Sequence, residues 1–142
     1  MIELVLDASV VLKWFAPKDE RHAEQARALR RSYERGDVIV TVPSLLFLEL
    51  LNIAGRRWMW DTDALGELAS ALDDLEFDVG EAELAAIAAW TSRGLTAYDA
   101  AYVALAEVRG MPLVTDDDTI LSLAASLARP LHELLPPGSP RS

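Results

Sequence analysis

Two short apolar runs constrain this chain more than anything else in it: IELVL at Ile2–Leu6 and VIVTV at Val38–Val42. Each is almost uninterrupted, which suits a strand buried on both faces, as in a parallel sheet. A sheet with one wet face would alternate apolar and polar residues instead. Helical stretches separate the runs. SVVLKWFAP reads as a short helix stopped near Pro17. DERHAEQARALRRSYERG reads as a longer one, favoured at its start by Asp19 and Glu20 and stopped by Gly36. Pro43 then opens SLLFLELLNIAGRRW, and Asp61 or Thr62 caps DTDALGELASALDDL. EFDV is a weak strand. GEAELAAIAAWTSRG and TAYDAAYVALAEVRG are helices ended by Gly94 and Gly110. PLVT is a strand, followed by a helix from about Thr119 to Leu127 and a last strand in PLHEL. Strands alternating with helices call for an α/β fold, a three-layer α/β/α sandwich on a mainly parallel sheet. The chain of 142 residues is long enough for a real core. Residues 1–135 read as one domain and 136–142 as a flexible C-terminal tail.

Open parallel sheets bind ligands beyond the carboxyl ends of their strands. Asp7 follows the first strand there, and Asp116, Asp117 and Asp118 follow PLVT. Three adjacent carboxylates repel one another unless water, a helix cap or a cation accommodates them. Glu49 is the single carboxylate in a helix that is apolar nearly all round and is expected to be largely buried. Either it pairs with Arg56 by way of Asn52 on the same face, or it serves a cation. Asp99 lies three residues after Thr96, which reads as a capping box or as a carboxylate aimed at the sheet edge. Ala97, Ala100, Ala101 and Ala104 would let that helix approach the sheet closely. Four carboxylates able to converge at one edge suit magnesium or manganese, the hard cations of all-oxygen sites.

Composition narrows the alternatives. There is no cysteine, hence no thiolate metal site. The two histidines, His22 and His132, stand in unrelated contexts, which argues against a histidine-rich zinc site. No apolar run reaches membrane-span length and no basic leader precedes IELVL, so the expected location is the cytoplasm. A net charge of −10 opposes unaided binding to a polyanion.

Four segments, LVLDASVVLKWF, PSLLFLELLNIAGR, LTAYDAAYVALAE and PLVTDDDTIL, in this order and spacing, resemble the PIN-domain family, and specifically its VapC-type toxins. The resemblance runs from Met1 to about Leu135. It implies a PIN-like parallel sheet between helices and a metal-dependent endoribonuclease that cuts RNA until an antitoxin binds. It implies that Asp7, Glu49, Asp99 and Asp117 are the catalytic and metal-holding acids, with Mg2+ or Mn2+ as cofactor. Thr115 and Asp117 match the family's threonine, any residue, aspartate pattern, leaving a helix cap and a solvated charge for Asp116 and Asp118. Ser9, Asn52, Thr115 and Asp116 are accessory candidates. In that mechanism a water of lowered pKa attacks phosphorus in line, leaving a 5′-phosphate and a 3′-hydroxyl. Asp99 or Glu49 orients or deprotonates the water.

Phosphates flanking the cut need positive charge, for which Lys13, Arg56, Arg57 and Arg93 are candidates beside their reading as solvated charges. Trp58, Met59 and Trp60 read as core or as interface. The resemblance also implies a homodimer and a VapB-like antitoxin that brings a basic side chain to the acidic site. Rival readings fit less well. A phosphoryl-accepting receiver would need a lysine after a late strand, and the only lysines are Lys13 and Lys18. A small-molecule phosphatase would need D-x-D where the chain has DAS. A non-catalytic PIN-like interaction module is the alternative that stands.

Overall fold

The computed structural model describes residues 1–133. Among them, five strands form one sheet: β1 (Ile2–Leu6), β2 (Val38–Val42), β3 (Asp78–Val79), β4 (Leu113–Thr115) and β5 (Ala128–Pro130). The order is β3-β2-β1-β4-β5 and every pairing is parallel. Leu4, Val5 and Leu6 are all buried, as are Leu113, Val114 and Thr115. Successive strand residues point to opposite faces, so layers must cover both sides of the sheet centre. The architecture is the three-layer α/β/α sandwich expected. β3 is the exposed edge, and β5 ends in Pro130, a residue tolerated only where no ladder partner follows.

Seven α-helices connect the strands: α1 (Ala8–Val11), α2 (Ala23–Glu34), α3 (Leu45–Arg56), α4 (Thr62–Asp74), α5 (Leu84–Thr91), α6 (Ala97–Arg109) and α7 (Asp118–Leu123). α6 is buried without a break from Ala100 to Ala106. It packs on β1 and β4 beneath α5, and its alanines permit the close approach, although Ala97 itself is exposed. Gly110 closes α6 in the left-handed conformation (φ 65°).

Four expectations are corrected. α2 starts at Ala23, with Glu24 and not Asp19 or Glu20 in its first turn. The residues before it are drawn towards Asp116, and His22 adopts a left-handed backbone (φ 59°). α3 is buried along one stripe only, Leu46, Leu50 and Ala54, while Leu48 is 70% exposed. Leu48 on its outer face is left uncovered by the described residues. α7 ends at Leu123, because the chain turns at Ala124–Leu127 to bring Leu127 O to the Leu113 N–H at the sheet edge. The last strand precedes PLHEL, whose Leu131–Glu133 form a 3-10 turn. Leu134 of that segment and the 136–142 tail lie outside the described residues. Trp58 and Trp60 pack against the core with rings 5.2 Å apart, and Met59 between them is 76% exposed.

Candidate active site

The register of β1 against β4 pairs Leu6 with Val114, which brings the next residues, Asp7 and Thr115, side by side where the strands end. Thr115 Oγ1 donates to Asp7 Oδ2 at 2.7 Å, and Ser9 Oγ donates to Asp7 Oδ1 at 2.6 Å. Both hydroxyls are held in turn from the backbone. The Asp116 N–H donates to Ser9 Oγ at 2.9 Å and the Asp117 N–H to Thr115 Oγ1 at 3.0 Å. Asp7 occupies the cap position of α1 but makes no side-chain cap bond, so its carboxylate is committed to this network.

Asp7 is only 4% exposed. Burial pushes its carboxyl up to about 7, against the Ser9 and Thr115 hydrogen bonds, with the charges of Asp117 and Asp99 adding to the rise. Asp99 is raised by burial and by Asp117, while Thr96 opposes the rise. Thr96 does cap α6, accepting from the Asp99 N–H at 3.1 Å. Glu49 is raised by burial and by Asp99's charge. These four acids therefore sense one another's charge in a chain from Glu49 through Asp99 to Asp117 and Asp7. Among the described residues they are not drawn together as closely as a bound ion would draw them, since no three of their oxygens lie within 4.8 Å of one another.

Glu49 does not pair with Arg56. Its Oε1 accepts from the Tyr102 hydroxyl at 2.9 Å. Tyr102 lies three residues after Asp99, one turn along α6 and on its face, and is 1% exposed. The sequence offered one signal for it, a tyrosine one turn beyond Asp99 in an alanine-rich helix. Its phenol is held far above its ordinary value by burial and by the Glu49 carboxylate, so it acts as a donor only. Replacing it by Phe removes the one hydrogen bond that lowers the Glu49 carboxyl. The carboxyl resonance of Glu49 in Tyr102→Phe should titrate at higher pH than in the parent protein, and a midpoint that stays or falls would contradict this pairing.

The three aspartates after β4 part company. Asp117 caps α7, its Oδ1 accepting from the Ile120 N–H at 2.9 Å, and lies on the side of Thr115. Asp118 is exposed. Asp116 is neither cap nor solvated charge. Its carboxylate, 3% exposed, meets Lys13 Nζ at 3.1 Å, Arg21 Nε at 3.1 Å and His22 Nδ1 at 2.9 Å. Burial would push it up, but His22, Lys13 and Arg21 together hold it below the ordinary carboxylate range. Chain alternation explains the split, since residues 115 and 117 face one way and 116 the other.

The cationic candidates also divide. Lys13 is buried with Asp116, its side chain 6% exposed, and is not a surface phosphate contact. Arg57 lies 3.6 Å from Glu20, and Arg93 stacks on Trp90 with 4.4 Å to the ring centroid. Arg56 and Asn52 are exposed on α3. A surface hollow lined by Met1, Arg30, Val38 and Leu75 opens at the amino ends of the strands, away from the acids.

A family model described as the PIN domain matches residues 4–126. Two solved structures are similar over most of the chain. The crystal structure of PAE2754 from Pyrobaculum aerophilum is 24% identical, with 92% of this chain and 91% of that one covered and a TM-score of 0.63. FitAcB from Neisseria gonorrhoeae is 19% identical, with 92% and 99% covered and a TM-score of 0.67. At such identities these two establish likeness of fold. No curated protein matches the chain.

Proposed function

The chain belongs to the PIN domain family, and from that membership we propose that it is a metal-dependent endoribonuclease whose acids are Asp7, Glu49, Asp99 and Asp117. The observation that carries the reading is Asp7: a carboxyl group buried at a strand end, served by two hydroxyls and crowded by two further carboxylates. Such a cluster costs stability on its own and is relieved by a cation. The donors are all oxygen, which fits Mg2+ or Mn2+. When bound, the ion would neutralise the acids and polarise a phosphodiester.

The chain's own residues have distinct tasks. Ser9 and Thr115 fix the two oxygens of Asp7. Asp117 is held by its capping bond from the Ile120 N–H. Tyr102 orients Glu49 and leaves that group's second oxygen free. Asp99 and Glu49, both pushed upward by burial, are suited to hold or accept a proton from an attacking water. Arg56, Arg57 and Arg93 are the candidates for the flanking phosphates of RNA, and Arg57 would leave Glu20 to do so.

The acidic chain suits a regulatory partner with a basic segment, as a VapB-like antitoxin has, and the exposed Leu48 and Met59 suit a homodimer. No helix among the described residues is long and apolar enough to cross a membrane, and we place the protein in the cytoplasm. The domain spans residues 1–135 in this reading.

The test is incubation of protein freed of any partner with total RNA and Mg2+ or Mn2+. Discrete products ending in 5′-phosphate are expected with metal, and none with EDTA or with Asp99→Asn. Cleavage that survives both would place the activity elsewhere. Folded, metal-binding protein that cuts nothing would favour the interaction-module reading.

A further inference from the structure

We propose that His22, Asp116 and His132 form a separate divalent-metal site, suited to zinc, that fastens the turn after β5 to the loop before α2. The chain contains two histidines, 110 positions apart, and the fold brings both to one buried carboxylate. Their rings lie 4.8 Å apart between centroids, at 31°. One ligand atom from each of the three residues falls within 4.8 Å of the others, the one such set among the described residues. In the sequence the two histidines stand in unrelated contexts, which argues against zinc. The return of the chain through β5 overturns that premise.

The distances suit an ion. Ligands on a tetrahedral zinc at roughly 2.0–2.1 Å stand about 3.3 Å from one another. His22 Nδ1 and Asp116 Oδ1 are 2.9 Å apart and need to part by tenths of an ångström. His132 needs to close in. The imidazole side chains are 30% and 45% exposed, and His132 would leave Glu133, 3.6 Å from its Nε2, while Asp116 is the fixed point at 3%. Two imidazoles and one carboxylate favour zinc and related transition ions over magnesium, so the two sites would sort ions by donor type. Three protein ligands leave a coordination position for water or a further ligand.

Lys13 and Arg21 are the objection, because both carry positive charge beside Asp116. Both contact Oδ2, however, and Oδ1 is the oxygen that faces His22. Ligating carboxylates are commonly hydrogen-bonded through their outer oxygen. The two cations thus hold Asp116 in place and keep it ionised, at some loss of affinity for a dication.

The test uses tag-free full-length protein and follows the ring nitrogens of its two histidines by NMR during zinc addition. Both rings should shift along one saturable isotherm. His132→Gln should weaken the response of His22 at least about tenfold, and His22→Gln that of His132, as removal of a ligand costs no less than removal of an outer partner. Magnesium in place of zinc should move neither ring. Silence of either ring, isotherms that survive substitution of the other histidine, or an equal response to magnesium would overturn the proposal. The parent protein alone supplies the first readout, so a variant that failed to fold would not leave the question open. The outcome is independent of whether the acidic cluster cuts RNA.

Discussion

Asp7→Asn is expected to abolish metal-dependent RNA cleavage, by at least about a thousandfold, while making the metal-free protein more stable above neutral pH. The two effects share one cause. Asp7 holds its proton to about pH 7 in the folded chain, against 3.8 for the ordinary group. Between those values the folded state keeps a proton that the unfolded chain releases, so stability falls as pH rises through that window. Above pH 7 the full penalty remains. At 1.36 kcal/mol per pH unit the ceiling is roughly 4 kcal/mol, and an uncharged asparagine escapes most of it. Ser9 and Thr115 can each accept from its amide, so the network tolerates the exchange. Denaturant unfolding in EDTA should show the variant ahead by about 2–4 kcal/mol at pH 8 and level with the parent near pH 4. A variant no more stable at pH 8 would mean that the carboxylate is not under the strain described. The activity loss is large because a charged ligand is removed, where loss of an outer-shell partner already costs about 10–100-fold.

Asp116→Ala is expected to lower stability by about 3–5 kcal/mol in metal-free protein, a drop of about 10–17 °C in Tm. Lys13 would lose its buried counter-ion at 3.1 Å, and Arg21 and His22 their anchor. Its neighbour behaves differently. Asp117→Asn keeps a good helix cap, because asparagine ranks with aspartate there, so its stability should stay within about 1 kcal/mol. Its cleavage activity should nevertheless be lost. Thermal unfolding and cleavage assays on the two variants separate a structural aspartate from a site aspartate one residue away. An Asp116→Ala variant as stable as the parent would show that Lys13 reaches solvent freely.

The sheet was legible because β1 and β2 are short apolar runs of a kind that only double-sided burial rewards. The candidate acids stand out in the sequence because a lone carboxylate in an apolar helix, such as Glu49, is conspicuous. Helix starts were less so. Local propensity favoured Asp19, but the pull of Asp116 on Arg21 and His22, 95 and 94 positions away, delays α2 to Ala23. The same long-range contact hid the fate of Asp116. Strand alternation beyond β4 would have separated it from Asp117, yet nothing local shows that Lys13 waits on the other side. Tyr102 and the His22–His132 pair escaped for a related reason. Their partners lie 53 and 110 positions away, and only the packing of α6 on α3's carboxylate and the turn after β5 brings them together.

In the proposed function Asp7, Glu49, Asp99 and Asp117 jointly hold a divalent ion. Anomalous diffraction from crystals soaked in Mn2+ tests it most directly. A manganese peak is expected within bonding distance of Asp7 and at least one of Asp99 and Asp117, at the carboxyl ends of β1 and β4. Saturating Mn2+ that leaves those acids bare, or that collects only beside His22 and Asp116, would contradict it.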